Sequence, residues 1–230
     1  MDIKILLSNI AETTEAFDVS GLSLNTKTLT KGDLFIALQG EKNHGAEYID
    51  SAIENGCIGV LIEGRDVDCG VPIIRIDNLK LHLSGLAQNF YTKAKDVDLI
   101  AVTGTNGKTS VSHYISQLLD FLEVNNGVIG TLGISKVEKK SINTTPDIFS
   151  IYSSLNEYSN QGIELAIIEA SSHALMQDRL KGLSFIQGIF TNLTQDHLDY
   201  HETMNNYKEA KGKLFTNGFS KKAIINRDDE

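Results

Sequence analysis

The stretch that decides the fold is AVTGTNGKTS, which occupies residues 101–110. It departs from the common phosphate-loop pattern G-x-x-x-x-G-K-[ST], because Val102 stands where that pattern requires its first glycine. The residues before the loop, 99–102, have the pattern of a buried strand, and a helical pattern begins directly after it. Gly104 and Gly107 let backbone N–H groups face an anion, which the helix N-terminus also attracts. We therefore predict a phosphate site between a strand and a helix.

The side chains of this loop indicate a magnesium nucleotide as the ligand. Lys108 supplies a positive charge for the β- and γ-phosphates, and Thr109 supplies a hydroxyl for Mg²⁺. The alternative is a glycine-rich turn with a chance Lys-Thr pair, but that pair lies at the strand-to-helix junction that the chemistry requires. The predicted nucleotide-binding residues of the loop are Gly104, Thr105, Asn106, Gly107, Lys108, Thr109 and Ser110, with ATP or GTP as the nucleotide.

Length and charge limit the class of protein. The chain has 230 residues, enough for one large domain or two ordinary ones, and a formal net charge of −9 with no basic block. Such a surface repels nucleic acid and anionic lipid. The first residues are too short an apolar run for a signal peptide, so we expect a cytoplasmic protein without membrane spans. Cys57 and Cys69 are expected to be packing residues.

Apolar runs alternate with helical patterns, which predicts α/β architecture. A polar segment at 92–98 interrupts the pattern, and we place a domain boundary there, giving domains 1–95 and 96–230. In the first domain we predict strands at 34–38, 58–62 and 72–76, and helices at 46–53 and 79–94. In the second we predict a mostly parallel sheet of the P-loop type, with strands at 99–103, near 128, 163–169, 188–192 and 223–226, a hairpin at 134–142, and helices at 108–121, 147–158 and 207–215.

Four further residues are candidates for chemistry. Glu169 ends an apolar strand, so its carboxylate is expected at the sheet edge where such folds bind ligands and can hold Mg²⁺. His197 and His201 could suggest zinc, but no thiol or imidazole follows at zinc-finger spacing. Lys211, judged on the sequence alone, reads as a solvated helix lysine.

The loop TGTNGKT (103–109) resembles the shortened ATP loop of the Mur ligases and of their folylpolyglutamate synthetase relatives. Five more motifs, in order and spacing, resemble the branch of the Mur ligase family that adds the third, diamino acid residue of the peptidoglycan stem. These motifs are NTTPD (143–147), EASSH (169–173), QDR (177–179), TNLTQDHLDYH (191–201) and EAK (209–211).

The resemblance implies a UDP-substrate-binding domain at residues 1–95 and a central ATP-binding domain from 96 onwards. We expect the end of that domain and a C-terminal domain to be missing, and this chain alone to have little or no ligase activity. The departures from the family are Asn25-Thr26-Lys27 after Leu24, His44 before Gly45, and Ala174 after the Ser-Ser-His motif. They affect how the nucleotide part of the substrate is held rather than the reaction.

The resemblance also implies a reaction and roles. The reaction is ATP-dependent amide formation through an acyl phosphate, and its catalytic residues would be Lys108, Glu169, His197 and Lys211. Mg²⁺ would be held by Thr109, Glu169, His197 and a carbamylated Lys211. Asn226 would contact adenine. The substrate-binding residues would be Leu24, Thr26, Asn143, Thr144, Thr145, Ser171, Gln177 and Arg179.

The implied ligands are ATP, UDP-N-acetylmuramoyl-L-alanyl-D-glutamate and a diamino acid, with the protein a monomer. Whether the diamino acid is meso-diaminopimelate or L-lysine stays open. The alternatives are a folate polyglutamylating ligase, a nucleotide-regulated switch and a non-catalytic nucleotide or UDP-sugar binding module. The sequence lacks the Asn-Lys-x-Asp motif that a guanine-nucleotide switch needs.

Overall fold

The computed structural model describes residues 1–40, 43–137, 143–216 and 219–229. Two compact units make up the chain, Met1–Thr92 and Lys93–Glu230, whereas the expected boundary lies between residues 95 and 96. Within the described ranges, the helices are all too short or too polar to cross a bilayer.

The first unit contains a four-stranded parallel sheet in the order β1-β2-β3-β4. Its strands are β1 (Gly21–Ser23), β2 (Asp33–Ala37), β3 (Gly59–Ile62) and β4 (Ile73–Arg75). Its helices are α1 (Ile3–Leu6), α2 (Ile49–Glu54) and α3 (Leu79–Phe90), with a 3-10 helix at Gly45–Tyr48.

The core of the first unit lies around the two central strands. Every residue of β2 and β3 is buried, as expected for the middle of a parallel sheet that is covered on both faces. Cys57 packs in this core and both cysteines are free, as predicted, and burial raises the pKa of the Cys57 thiol. The predicted strands and helices are present, but α3 ends at Phe90 because Tyr91 adopts a non-helical ψ of 63°.

The second unit contains a six-stranded sheet in the order β10-β9-β5-β8-β6-β7. Its strands are β5 (Asp98–Thr103), β6 (Asn126–Gly130), β7 (Gly133–Ile134), β8 (Leu165–Glu169), β9 (Gln187–Phe190) and β10 (Ala223–Ile225). Its helices are α4 (Lys108–Phe121), α5 (Ile148–Asn160), α6 (Ser172–Met176), α7 (Leu198–His201) and α8 (Met204–Gly212), with 3-10 helices at Ala94–Asp96 and Lys213–Phe215.

Only β7 runs antiparallel within this described sheet, so the predicted mostly parallel α/β fold is confirmed. Strand β5 lies in the sheet interior between β8 and β9. Parallel strands end at the same edge of a sheet, so the residues after β5, β6, β8 and β9 meet there. This edge carries the candidate site.

The hairpin expected at 134–142 differs from the one observed. Strand β6 turns at Thr131 and Leu132 and pairs with β7, so the hairpin begins earlier in the chain, while residues 138–142 lie outside the described ranges. The short helices α6 and α7 were not predicted, because four or five residues are too few to show a helical period.

Helix α5 is attached to the sheet by Tyr158, which is fully buried. Its hydroxyl lies 2.7 Å from the carbonyl oxygen of Ser135 and 3.2 Å from that of Val128. The ring lies so close to Gly127 that a Cβ there would come within 2.5 Å of it. Burial raises the pKa of Tyr158 to about 12.

We predict that Tyr158→Phe destabilises the chain at pH 7 by about 1–3 kcal/mol, because buried carbonyl groups lose their donor. The pKa of Tyr158 is higher in the folded chain than its ordinary value of 10.0, so the neutral hydroxyl contributes its full stabilisation at pH values below 10.0. This contribution is lost as the pH rises from there towards about 12, the pKa in the folded chain. The difference in unfolding free energy between the unaltered and variant chains should therefore shrink over that interval, as measured by urea denaturation. Tyr114→Phe, at an exposed tyrosine of α4, is the matched control. A gap independent of pH would contradict the prediction.

Candidate active site

The phosphate loop has the backbone conformation that its glycines predict. It joins the end of β5 to the start of α4, and Gly104 and Gly107 have φ angles of 145° and 83°. Residues with a side chain rarely adopt such angles. At Gly104 a Cβ would also lie 1.9 Å from Oγ1 of Thr191, so this position has no room for one.

A second segment, residues 191–194, holds the phosphate loop in shape. The amide of Thr105 donates to the carbonyl of Asn192 at 2.8 Å, and the amide of Asn106 donates to its side-chain oxygen at 2.9 Å. The Thr105 hydroxyl donates to the carbonyl of Thr194 at 3.1 Å. Two loop amides thus point at protein, and the unpaired N–H groups of the first turn of α4 are the ones free to face an anion. The motif at 191–201 did not by itself indicate that this segment clamps the phosphate loop.

Lys108 lies folded over the loop. Its Nζ donates to the carbonyl oxygens of Gly104 and Thr105, each at 2.9 Å. Burial lowers the pKa of Lys108, while the nearby Glu169 and Asp196 act in the opposite direction. The ammonium group of Lys108 therefore lies against the loop, at the predicted phosphate site.

The carboxylate of Glu169 is completely buried at the end of β8. Its Oε2 accepts hydrogen bonds from the hydroxyls of Thr109 and Thr131, both at 2.9 Å, and its Oε1 accepts one from the Thr131 amide at 3.0 Å. Gly130 leaves space for it, because a Cβ there would lie 2.1 Å from Oε1. Three donors hold a charge that would otherwise be costly to bury.

This oxygen cluster fits a magnesium ion. A carboxylate and hydroxyls are hard oxygen ligands of the kind that Mg²⁺ takes in nucleotide sites, where it also binds phosphate oxygens. Thr109 and Glu169 would hold the ion. Thr131 was missed by the sequence analysis, although it directly follows β6 and so lies at the same sheet edge as Glu169. Its place directly after a strand is the feature of the sequence from which Thr131 could have been predicted as a site residue.

Lys211 is buried, with 2% of its surface exposed, so its assignment from sequence alone as a solvated lysine is wrong. Its Nζ donates to the carbonyl of Gly104 at 2.8 Å and lies 4.3 Å from the centre of the Tyr207 ring. Burial, and then the positive charge of Lys108, lower the pKa of Lys211 to about 7. Tyr207 in turn donates its hydroxyl to Oγ1 of Thr105 at 3.2 Å. Helix α8 therefore contacts the phosphate loop through the side chains of Lys211 and Tyr207.

His197 and His201 have different surroundings. His197 is exposed, and its Nε2 lies 3.6 Å from a carboxylate oxygen of Asp196. His201 is buried, and its Nε2 is 2.9 Å from Oγ of Ser172. Over the ranges that the structure describes, no three His, Cys, Asp or Glu side chains form a group that could hold a metal. His197 as a Mg²⁺ ligand stays a prediction.

Four of the predicted substrate residues lie together beside Glu169. The hydroxyl of Thr145 donates to the Glu169 backbone carbonyl at 2.7 Å and accepts from the Ser171 amide at 3.0 Å. Arg179 donates from Nη1 to the carbonyl of Thr145 at 2.7 Å and from Nε to Oε1 of Gln177 at 3.0 Å. The guanidinium is thus oriented at the sheet edge.

The remaining predicted residues of this unit lie at the margins of that group. Thr144 is half-buried, with its hydroxyl 3.1 Å from that of Thr131, and Asn143 is exposed. Asn226 donates from Nδ2 to the carbonyl of Thr191 at 2.8 Å, so it contacts the segment that clamps the phosphate loop. Ser110 is exposed at the start of α4.

Leu24 and Thr26 belong to the first unit, where they lie in the turn after β1. Lys27 closes this turn by donating its amide to Oδ1 of Asn25 at 3.0 Å. His44, the other departure in this unit, caps the 3-10 helix by accepting the Ala46 amide at Nδ1, 2.9 Å away. An imidazole nitrogen thus does there what an aspartate oxygen would do at an N-cap.

Two family models match the chain. The Mur ligase middle domain matches residues 102–230, and the model described as Mur ligase family, catalytic domain matches residues 18–91. Among curated proteins, the UDP-N-acetylmuramoyl-L-alanyl-D-glutamate–2,6-diaminopimelate ligase of Wigglesworthia glossinidia brevipalpis is 39% identical over 98% of this chain and 48% of its own length. The ligase of that name from Haemophilus influenzae (strain PittGG) is 37% identical, over 97% and 48%.

Solved structures agree with these matches. A structure of a UDP-N-acetylmuramoyl-L-alanyl-D-glutamate–2,6-diaminopimelate ligase has a TM-score of 0.79 at 30% identity, over 100% of this chain and 47% of its own. The MurF ligase of Thermotoga maritima with ADP has a TM-score of 0.60 at 22% identity, over 91% and 46%, and shows the fold alone. The chain thus spans about half the length of the curated relatives it matches.

We predict that Glu169→Gln weakens the binding of Mg-ADP at least about tenfold, because an amide replaces the anionic oxygen that the cation needs. Isothermal titration calorimetry with Mg-ADP, and with ADP and EDTA, measures the effect. The loss should disappear without Mg²⁺. Glu164→Gln, at an exposed glutamate just before β8, is the matched control. An equal loss with and without Mg²⁺ would show that the carboxylate does not act through the cation.

Proposed function

This chain belongs to the Mur ligase family, and we propose that it contributes to an ATP-dependent ligase that adds a diamino acid to UDP-N-acetylmuramoyl-L-alanyl-D-glutamate in peptidoglycan synthesis. The relatives from Wigglesworthia glossinidia brevipalpis and Haemophilus influenzae are 2,6-diaminopimelate ligases by name, which favours 2,6-diaminopimelate as the diamino acid. The small-molecule ligands are ATP, the muramoyl-dipeptide and the diamino acid, and the protein acts as a cytoplasmic monomer.

The observation that carries this proposal is the double contact of Glu169. Its carboxylate accepts from Thr109 at the phosphate loop, and its backbone carbonyl accepts from Thr145 in the predicted substrate group. One residue therefore joins the nucleotide site to the substrate site. Transfer of a phosphoryl group to a substrate carboxylate requires these two sites to be adjacent.

The proposed reaction has two steps. An oxygen of the substrate carboxylate attacks the γ-phosphorus of ATP, which forms an acyl phosphate and releases ADP. The amine of the diamino acid then attacks the carbonyl carbon, the amide C–N bond forms, and inorganic phosphate and a proton leave. Lys108 and the N-terminus of α4 attract the phosphates, and Arg179 orients an anionic group of the substrate.

Magnesium, held by Thr109 and Glu169, would supply charge neutralisation at the phosphates. The proposal includes His197 as a ligand of a second Mg²⁺ and a carbamylated Lys211 as a further carboxylate ligand. The lowered pKa of Lys211, about 7, supports carbamylation, because only a neutral amine attacks carbon dioxide. The adenine contact of Asn226 and the UDP contacts of Leu24 and Thr26 belong to the same proposal.

Folate polyglutamylation is the same-fold alternative. The folylpolyglutamate synthase of Mycobacterium tuberculosis, solved with ADP, has a TM-score of 0.52 at 17% identity over 66% of this chain and 42% of its own, which shows the fold alone. The family match over residues 18–91 favours the muramoyl substrate, because it covers the unit that we predict to bind the UDP part of that substrate.

We predict that UDP-N-acetylmuramoyl-L-alanyl-D-glutamate stabilises this chain against thermal unfolding more than UDP or a folate substrate does. A ligand at a hundred times its dissociation constant adds about 2.7 kcal/mol, which gives a measurable rise in melting temperature. Arg179→Met should reduce the shift with the muramoyl-dipeptide and leave that with Mg-ATP. Stabilisation by Mg-ATP and folate but not by the muramoyl-dipeptide would overturn the substrate assignment.

A further inference from the structure

A continuous chain of hydrogen bonds, through three hydroxyl groups and one carboxylate, leads from the phosphate loop to the predicted substrate segment. Oγ1 of Thr109 lies 2.9 Å from Oε2 of Glu169, the same oxygen lies 2.9 Å from Oγ1 of Thr131, and that hydroxyl lies 3.1 Å from Oγ1 of Thr144. Thr131 is the only one of these four residues to which neither the motifs nor the resemblance gives a role.

The direction of these hydrogen bonds follows from the carboxylate. An ionised carboxylate can only accept, so the single hydroxyl proton of Thr131 goes to Glu169, and charge-assisted bonds of this kind are the stronger ones. The bond between Thr131 and Thr144 must then use the proton of Thr144. Thr144 is left with lone pairs for a ligand, which selects a hydroxyl or an amide N–H on the ligand.

Thr131 also holds the carboxylate from a second side. Its amide donates to Oε1 of Glu169 at 3.0 Å while its hydroxyl donates to Oε2, so one residue fixes both oxygens. A ligand that donates to Thr144 further restrains Thr144, and through it Thr131, in the arrangement that the structure shows. The Glu169 carboxylate then has less conformational freedom left to lose when a magnesium nucleotide binds.

We propose that Thr131 is a positioning residue that couples the binding of the muramoyl-dipeptide at Thr144 to the binding of Mg-nucleotide at Glu169. This inference rests on the proposed function, because it takes the ligand at Thr144 to be the dipeptide substrate. Each ligand should tighten the binding of the other by the same factor, as linkage requires.

The test compares Thr131→Val, which removes the hydroxyl but keeps the shape and the amide, with Thr131→Ser, which keeps the hydroxyl. The dissociation constant of Mg-ADP is measured by calorimetry on the 230-residue chain, with and without saturating UDP-N-acetylmuramoyl-L-alanyl-D-glutamate. We expect a coupling of about fivefold or more in the unaltered chain and in Thr131→Ser, and of less than about twofold in Thr131→Val. Melting temperatures check that both variants fold.

A double variant tests whether Thr131 acts through Thr144. Thr131→Val combined with Thr144→Val should show the same coupling as Thr144→Val alone. Equal coupling in Thr131→Val and in the unaltered chain, or no coupling in the unaltered chain when both ligands bind, would overturn the inference while leaving the proposed function intact. Failure of the unaltered chain to bind the muramoyl-dipeptide would instead contradict the proposed function, and the inference with it. Loss of coupling in both Thr131 variants would indicate a purely structural role.

Discussion

The architecture of the second unit depends on one buried charge, the Glu169 carboxylate. An ion with no exposed surface is tolerated only when hydrogen-bond donors surround it, and here the donors come from the first turn of α4 and from the turn after β6. The strand order β5-β8-β6 brings these two turns to opposite sides of the glutamate. Gly130 provides the space. The sheet order, Gly130, Thr109 and Thr131 are therefore all required together to bury the Glu169 carboxylate.

How well each part of the site could be predicted depended on the distance along the chain between its interacting groups. The strand, loop and helix around Gly104 and Lys108 are contiguous, and their pattern predicted them correctly. Glu169 was found because a strand end has a fixed place in a parallel sheet. Thr131 and the loop contact of Asn192 were missed because the interacting groups lie 38 and 86 positions apart, and only the folded sheet brings them together. No local pattern contains that information.

For Lys211 the local sequence pattern gave a wrong prediction rather than none. Its neighbours in α8 are mostly polar, so the sequence around it is typical of a solvated helix, yet three positions of that helix are buried. The burial comes from the phosphate loop, whose Gly104 carbonyl accepts from the lysine across 107 positions of chain. The resemblance to a known family singled out this lysine, and its role there stays a prediction. The structure shows a desolvated amine beside a second cation, Lys108, and both lower the pKa of Lys211.

The clamp on the phosphate loop has a consequence for folding during translation. The loop leaves the ribosome long before residues 191–194 and α8, yet its shape depends on hydrogen bonds to those segments, 86 to 107 positions later. Contacts between segments so far apart in the chain form slowly, and these contacts can form only after most of the second unit has been translated. Until α8 has been translated, the nascent chain therefore lacks hydrogen bonds that shape the phosphate loop in the folded unit.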